Sequence, residues 1–149
     1  MLNKLLTKKT IQIVRNVADW KAAIRLASTP LVENGSVTTG YVEAMIDNVL
    51  ELGPYIVIAP QIALPHARPE QGVNQVGMSM LCLGESVSFS DKKEHDVRLL
   101  VVLAAADNES HLQALAQLSE LLSEPKAEEQ IMNATEIEQV LDVINEYTN

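Results

Sequence analysis

Residues Tyr55 to Gly72 read YIVIAPQIALPHARPEQG, and this stretch carries the strongest structural signal in the chain. An apolar, β-prone run leads to His66, which has Pro65 directly before it and Pro69 three positions after it. Because each proline fixes its φ angle and removes a backbone N–H donor, the histidine is predicted to lie on a stiff, irregular segment at a strand end. Reactive side chains are often carried by such segments.

Apolar runs and alternating patterns predict the strands on both sides of this stretch. The continuous run after Asp96 is apolar apart from Arg98 and is typical of a central strand that is covered on both faces. A polar loop is expected between Gly84 and Asp96. The predicted strands are Thr10–Val14, Tyr55–Ala59 as a buried strand, Ile62–Leu64, Val76–Leu83 and Val97–Ala106.

Helical periodicity predicts two helices before the histidine and three at the end of the chain. Asp19 is the expected N-cap of the first helix, which Pro30 should break or kink. The second runs between Thr38 and Leu52 and stops at Gly53. The third helix has an apolar stripe, and the fourth is a short helix around Ile131 that begins at Pro125. The fifth also has an apolar stripe. The two stripes consist of Leu112, Leu115, Leu118 and Leu122, and of Ile137, Val140, Leu141 and Ile144.

Strands interspersed with helices predict an α/β fold built as a three-layer sandwich, with a mixed β-sheet of about five strands and helices on both faces. The chain has 149 residues and an apolar content of 47%. This length is enough to bury one substantial core and too short to suggest several, so residues 1–149 are expected to form a single domain.

Composition excludes several functional classes. The formal charge of -9, without a basic cluster, argues against a nucleic-acid partner. No apolar run is long enough to span a bilayer, so a cytoplasmic, soluble protein is expected. Cys82 is the one cysteine and reads as a buried strand residue. The six glycines form no nucleotide-binding motif, and the histidines show no zinc-ligand spacing, so neither a cofactor nor a metal is expected.

Histidine chemistry remains as the functional signal. His66 is the first candidate, and His111 is the second because Ser110 and Gln113 form a capping box that places it in the first turn of a helix. A helix N-terminus favours a neutral imidazole and attracts anions such as phosphate. Both histidines follow predicted strands and are expected to meet at one end of the sheet. His95 is interpreted as a solvated surface residue.

The segment Pro65-His66-Ala67-Arg68-Pro69, together with the second histidine, resembles a known family. Across essentially its whole length, the chain is similar to enzyme IIA components of the phosphoenolpyruvate-dependent sugar phosphotransferase system (PTS). The resemblance is to the fructose-mannitol superfamily, and within this superfamily the chain most resembles the ascorbate-type branch.

The resemblance implies a phosphoryl relay. His66 would be the nucleophile that accepts a phosphoryl group on Nε2 from the phosphocarrier protein HPr and passes it to a cysteine of an enzyme IIB, for uptake of ascorbate or a related sugar acid or polyol. His111 would stabilise the phosphoryl group by a hydrogen bond. Arg68 is a further candidate for phosphate binding. Whether the protein forms a homodimer is left open.

Two departures from the family pattern concern the site. Family members commonly have a glycine-rich loop where this chain has Ala59-Pro60-Gln61, and a basic residue late in the preceding helix, where Asn48, Val49 and Leu50 are uncharged. Arg68 is expected to supply the missing charge. Two other functions are kept as alternatives: a regulatory IIA-like module whose phosphorylation state controls a partner protein, and a noncatalytic ligand-binding domain.

Overall fold

The computed structural model of the chain describes residues 2–107, 109 and 112–148. Within these residues, the strands form one mixed sheet, in which two pairs of neighbouring strands are parallel and two pairs are antiparallel. The strands are β1 (Ile11–Val14), β2 (Val57–Ala59), β3 (Gln61–Ala63), β4 (Gly77–Ser88) and β5 (Asp96–Ala104), in the sheet order β1-β4-β5-β3-β2. The predicted mixed sheet of about five strands is confirmed.

Helices cover both faces of the sheet and make the predicted sandwich of three layers. They are α1 (Leu2–Leu5), α2 (Trp20–Glu33), α3 (Thr39–Leu52), α4 (Leu112–Ser123), α5 (Pro125–Met132) and α6 (Ile137–Thr148). The central strand β5 supplies both cores, because successive strand residues point to opposite faces. Leu100 and Val102 pack with α2 and α3, whereas Leu99 and Val101 pack with the remaining helices.

Helix α2 begins as predicted and continues past its proline. Asp19 caps the helix by accepting a hydrogen bond from the Ala22 N–H at 2.8 Å. Of the predicted break or kink at Pro30, the break does not occur, because the helix continues to Glu33. A proline leaves the carbonyl four residues earlier without its helical donor. Here that carbonyl, on Leu26, accepts a hydrogen bond of 2.7 Å from the Gln12 side chain, which also ties α2 to β1.

The apolar run before the histidine is an edge strand, and its prediction as a buried strand from Tyr55 to Ala59 is wrong. The strand begins only at Val57 and lies at the end of the sheet, where it pairs with β3 alone. Ile58 is consequently 55% exposed. An apolar run of this length gives no information about which strands lie beside it, so its sequence does not distinguish an edge from a centre.

Strands β4 and β5 also differ from their predicted bounds. Strand β4 continues through part of the expected polar loop, because Val87 pairs with Val97 after a register shift and both are buried. Strand β5 ends at Ala104, two residues earlier than predicted. Residues 105–107 therefore follow the strand as irregular chain at the end of the sheet.

Cys82 is buried in β4 as predicted. Burial raises the pKa of its thiol to about 12, so the thiol stays protonated and unreactive at neutral pH. In the described part of the chain, no helix is both long enough and apolar enough to cross a membrane.

Candidate active site

The site lies where two parallel strands end. Since β3 and β5 run in the same direction, their carboxyl ends meet at one edge of the sheet. Strand β3 ends at Ala63, and the chain then continues as an irregular segment beside the end of β5. The Leu103 N–H donates to the Pro65 carbonyl at 3.0 Å, which fixes this segment against β5. The predicted position of His66 after a strand end is confirmed.

A single hydrogen bond indicates which tautomer the neutral His66 ring adopts. Its Nδ1 lies 2.7 Å from the backbone carbonyl oxygen of Leu64. A carbonyl can only accept, so Nδ1 must carry the proton, and in a neutral imidazole Nε2 then holds the lone pair. The ring is partly buried and lines a cavity. A neutral imidazole with a defined lone pair is a competent nucleophile.

Tyr41, on the first turn of α3, anchors the residue after the histidine. Its hydroxyl accepts a hydrogen bond from the Ala67 N–H at 3.0 Å and donates one to the Leu103 carbonyl at 2.8 Å. The side chain is fully buried, and burial raises the pKa of its hydroxyl, so it remains protonated and able to donate at neutral pH. Through the hydrogen bonds of its hydroxyl oxygen, Tyr41 thus links α3 to the segment that carries His66 and to β5.

Tyr55 contacts His66 at two points. Its hydroxyl donates to the His66 backbone carbonyl at 3.2 Å, and its ring meets the imidazole edge-on, with centroids 5.5 Å apart and planes at 80°. The tyrosine follows the turn at Gly53, whose positive φ of 85° ends α3 and whose carbonyl accepts from the Tyr55 N–H at 2.8 Å.

A short 3-10 turn, Pro69–Gln71, closes the segment on its far side. The Gln71 side chain accepts a hydrogen bond from the Arg68 N–H at 3.1 Å. Gly72 follows with a φ of 140°, and its carbonyl accepts from the Thr38 N–H at 2.9 Å. A Cβ on Gly72 would collide with Thr38 Oγ1 and press on Tyr41, so glycine is required for this close approach to α3.

An open cavity of about 610 Å³ lies over the histidine. Arg68 is the one cation among the described residues that line it, and it faces the same space as the acidic side chains of Glu51 and Asp107. Two apolar side chains of its wall are also exposed, Leu52 by 66% and Tyr55 by 39%. The cavity therefore combines a nucleophile, a cation and an apolar surface.

The structure brings together only part of the predicted site. His66 and Arg68 line one cavity, whereas His111 lies outside the described residues, as does Ser110 of its expected capping box. His95 is distant, in the 3-10 turn directly before β5, and is partly buried instead of fully solvated; its Nδ1 lies 2.7 Å from Ser90 Oγ. Across residues 2–107, 109 and 112–148, no group of three acidic, histidine or cysteine side chains is arranged to hold a metal ion.

Two tyrosines of the site were missed in the sequence. Tyr55 was interpreted as a strand residue and Tyr41 had no predicted role. Their hydroxyls reach residues 11 and 26 positions away along the chain, on the histidine segment. Neither hydrophobic periodicity nor a local motif reports hydrogen bonds over such separations.

The α/β sandwich holds a histidine, whose tautomer is set by a hydrogen bond, in a wide, open cavity. This arrangement suits a protein that accepts a small chemical group and passes it on. Comparison with known families agrees with this class. The family model described as "Phosphoenolpyruvate-dependent sugar phosphotransferase system, EIIA 2" matches residues 4–147. The chain belongs to this family.

Relatives and solved structures share the fold over nearly the whole chain. The ascorbate-specific PTS system EIIA component of Escherichia coli K12 is 30% identical over 144 residues, which are 96% of this chain and 94% of the relative. The solution structure of the mannitol-specific cryptic phosphotransferase enzyme IIA CmtB from Escherichia coli has a TM-score of 0.89 and 34% identity, covering 97% and 98% of the two chains.

A third comparison concerns a complex. The structure of enzyme IIAMtl with phosphorylated enzyme IIBMtl from Escherichia coli matches with a TM-score of 0.82 and 29% identity, covering 95% of this chain and 99% of that chain. Chains with mannitol and with ascorbate in their names therefore both resemble this protein, so the comparisons leave the transported sugar open.

Proposed function

We propose that this protein is the phosphoryl-carrying IIA component of a sugar phosphotransferase system and that His66 carries the phosphoryl group. The observation that carries this proposal is the hydrogen bond of 2.7 Å from His66 Nδ1 to the Leu64 carbonyl. It leaves a lone pair on Nε2 of a ring that lines an open cavity. Membership of the EIIA family supports the same assignment.

The phosphoryl group is transferred in two steps, first to His66 and then to the acceptor. The Nε2 lone pair attacks the phosphorus of phosphorylated HPr, a new N–P bond forms, and the bond to the donor nitrogen breaks with its electron pair returning to the donor. A cysteine thiolate of an enzyme IIB then attacks the same phosphorus, and Nε2 recovers its lone pair. Phosphoryl transfer depends mainly on in-line positioning and on charge stabilisation, so a preorganised imidazole supplies much of what is needed.

Charge stabilisation is assigned to Arg68 and His111. Arg68 is two residues from the nucleophile and lines its cavity, so its guanidinium can reach the equatorial oxygens of a phosphoryl group. Asn48 lines the same cavity in the part of α3 where family members commonly carry a basic residue, which makes Arg68 the replacement for that charge. His111 is proposed to donate a hydrogen bond to the phosphoryl group.

The open cavity and its exposed apolar wall suit two successive protein partners. Leu52 and Tyr55 give an apolar contact surface next to the nucleophile. Apolar and aromatic side chains of this kind are enriched at the centre of protein interfaces. We assign HPr as the donor and an enzyme IIB as the acceptor, in a cytoplasmic carrier that acts as one domain and serves uptake of ascorbate or a related sugar acid or polyol. Light scattering decides between a monomer and a homodimer.

The decisive experiment is incubation with phosphoenolpyruvate, enzyme I and HPr, followed by intact mass measurement. One acid-labile phosphoryl group is expected on the wild-type protein and none on His66→Ala. His95→Ala serves as the matched control and should be phosphorylated normally, because that histidine lies at the other end of β5. No mass change in the wild type would overturn the proposal.

Transfer to the acceptor tests the transport role. The phosphorylated protein is mixed with IIB proteins of ascorbate and mannitol systems, and label on the IIB cysteine is followed with time. Transfer to one of them supports a transport component. Stable phosphorylation without transfer to any IIB would contradict it in favour of a regulatory module. His111→Ala should still accept the phosphoryl group and pass it on poorly.

Arg68→Ala tests the proposed cation. We expect phosphorylation to slow by about 100- to 1,000-fold, the range for loss of one charge-stabilising donor, without a comparable loss of folding stability. Lys126→Ala removes an exposed cation from α5 on the opposite layer and is the matched control. Equal rates for Arg68→Ala and the wild type would remove Arg68 from the site.

A further inference from the structure

We infer that Tyr55 is a positioning residue that sets both the place and the orientation of the His66 imidazole. The inference rests on the proposed phosphoryl transfer, since a nucleophile needs such control. Tyr55 belongs to the connection between α3 and β2, which is separate from the segment that carries the histidine. It therefore fixes His66 relative to a second part of the fold.

The hydrogen bond from Nδ1 to Leu64 cannot do this alone. It joins two residues of the same irregular segment, so it defines the ring relative to its own backbone only. Tyr41 anchors the next residue, Ala67, from the buried side. The Tyr55 hydroxyl holds the carbonyl of His66 itself, at 3.2 Å, from the exposed side. The peptide unit between His66 and Ala67 is thus held at both ends.

The ring of Tyr55 has a second role. It stands edge-on to the imidazole, with centroids 5.5 Å apart and planes at 80°. This is a favourable aromatic geometry, so rotation of the imidazole about the Cβ–Cγ bond gives up the edge contact. In-line attack on phosphorus tolerates little displacement, because an error of about 1 Å in a reacting group can reduce a rate by about 100-fold.

Two substitutions separate the hydroxyl from the ring. Tyr55→Phe keeps the edge contact and the apolar surface but removes the hydrogen bond, and we expect kcat for phosphorylation by phospho-HPr to fall by about 3- to 10-fold with KM unchanged. Tyr55→Leu removes both contacts while staying apolar, and a fall of about 10- to 100-fold is expected. Tyr147→Phe removes a hydroxyl from a partly buried tyrosine of α6, packed in the other layer, and is the matched control.

An NMR measurement gives a readout that does not depend on phosphoryl transfer. The ¹⁵N shifts of the His66 ring should report the Nδ1–H tautomer in the wild-type protein and in Tyr147→Phe. In Tyr55→Leu we expect exchange broadening of the ring signals, with the Nδ1–H tautomer kept by the Leu64 carbonyl, at unchanged folding stability. A residue that only supported the fold would not move these signals in a fully folded variant.

The outcomes distinguish the positioning role from the proposed function. If wild-type protein is not phosphorylated but Tyr55→Leu broadens the His66 ring signals, the carrier function is overturned and the positioning contact is upheld. If the wild type is phosphorylated and Tyr55→Leu shows wild-type kcat and wild-type ring shifts, the inference about Tyr55 is overturned. A rise in KM alone in both variants would also overturn it, because that result identifies Tyr55 as a docking residue.

Discussion

Replacing Tyr41 by phenylalanine removes one oxygen atom at the junction of α3, β5 and the His66 segment. In Tyr41→Phe the Leu103 carbonyl loses a donor at 2.8 Å, and the Ala67 N–H loses an acceptor at 3.0 Å. A buried group left unpaired costs about 1–3 kcal/mol. Leu103 is buried and bears the full penalty, whereas Ala67 is partly exposed and can bind water. We therefore expect a total loss of about 2–3 kcal/mol.

Urea unfolding measures this loss directly. For a chain of this length, 1 kcal/mol corresponds to about 2–4 °C in Tm, so the variant should melt about 4–12 °C lower with an unchanged m value. The same substitution releases the backbone next to the proposed nucleophile. Phosphorylation at a temperature where the variant is fully folded should therefore slow by about 10-fold, since small displacements of a reacting group reduce rates strongly.

The control for this prediction is Tyr147→Phe, which also removes a tyrosine hydroxyl but leaves the His66 segment untouched. It should change the free energy of unfolding by less than about 0.5 kcal/mol. The reasoning is refuted if the two variants lose equal stability. It is also refuted if Tyr41→Phe is destabilised as expected but phosphorylated at the wild-type rate, because the hydroxyl would then support the fold without positioning the site.

Three further predictions concern single backbone or buried positions. Gly72→Ala should cost about 2–4 kcal/mol in urea unfolding, because its Cβ collides with Thr38 Oγ1 at a φ of 140°, whereas Gly35→Ala, with a φ of 80° and open space, should cost only about 1 kcal/mol. Gln61 has a φ of 69°, so Gln61→Gly should change stability by less than about 1 kcal/mol and Gln61→Val should lower it more. Burial raises the pKa of Cys82 from 9.0 to about 12, so the unfolded chain loses this proton at lower pH than the folded chain. The free energy of unfolding should therefore be unaffected by Cys82 below about pH 9 and fall by up to about 1.4 kcal/mol per pH unit from there to about pH 12.

A specific result would contradict each of these three predictions. Equal losses in Gly72→Ala and Gly35→Ala would show that the loop moves away from α3 without cost. Equal stability of Gln61→Gly and Gln61→Val would show that the left-handed conformation is not strained. An identical alkaline decline in Cys82→Ala and the wild type would assign the decline to other groups.

The features that the sequence predicted well are those with local causes. Asp19 caps its helix through its own side chain, and Gly53 ends α3 with a positive φ. The two prolines place His66 on an irregular segment after a strand. Each of these signals involves residues within a few positions of one another, so one chain is enough to read them.

The features that could not be predicted depend on distant partners. Tyr55–Ala59 was expected to be buried, but exposure of Ile58 follows from the position of β2 at the sheet edge, which its sequence does not encode. Likewise Pro30 is tolerated in α2 because Gln12, on another strand, donates to the carbonyl that the proline leaves free. Tertiary partners decide such cases.

The charges around the cavity bear on how a phosphoryl group would be carried under the proposed function. Arg68 shares the cavity with Glu51 and Asp107, in a chain whose formal net charge is -9. A phosphoryl group on His66 therefore meets carboxylates as well as a guanidinium, and like charges disfavour its accumulation. Strong stabilisation of the bound state would raise the barrier to its departure, because only interactions stronger in the transition state accelerate transfer. A mixed charge environment thus suits a carrier that must release its group to a second partner, and it is unsuited to a store that retains it.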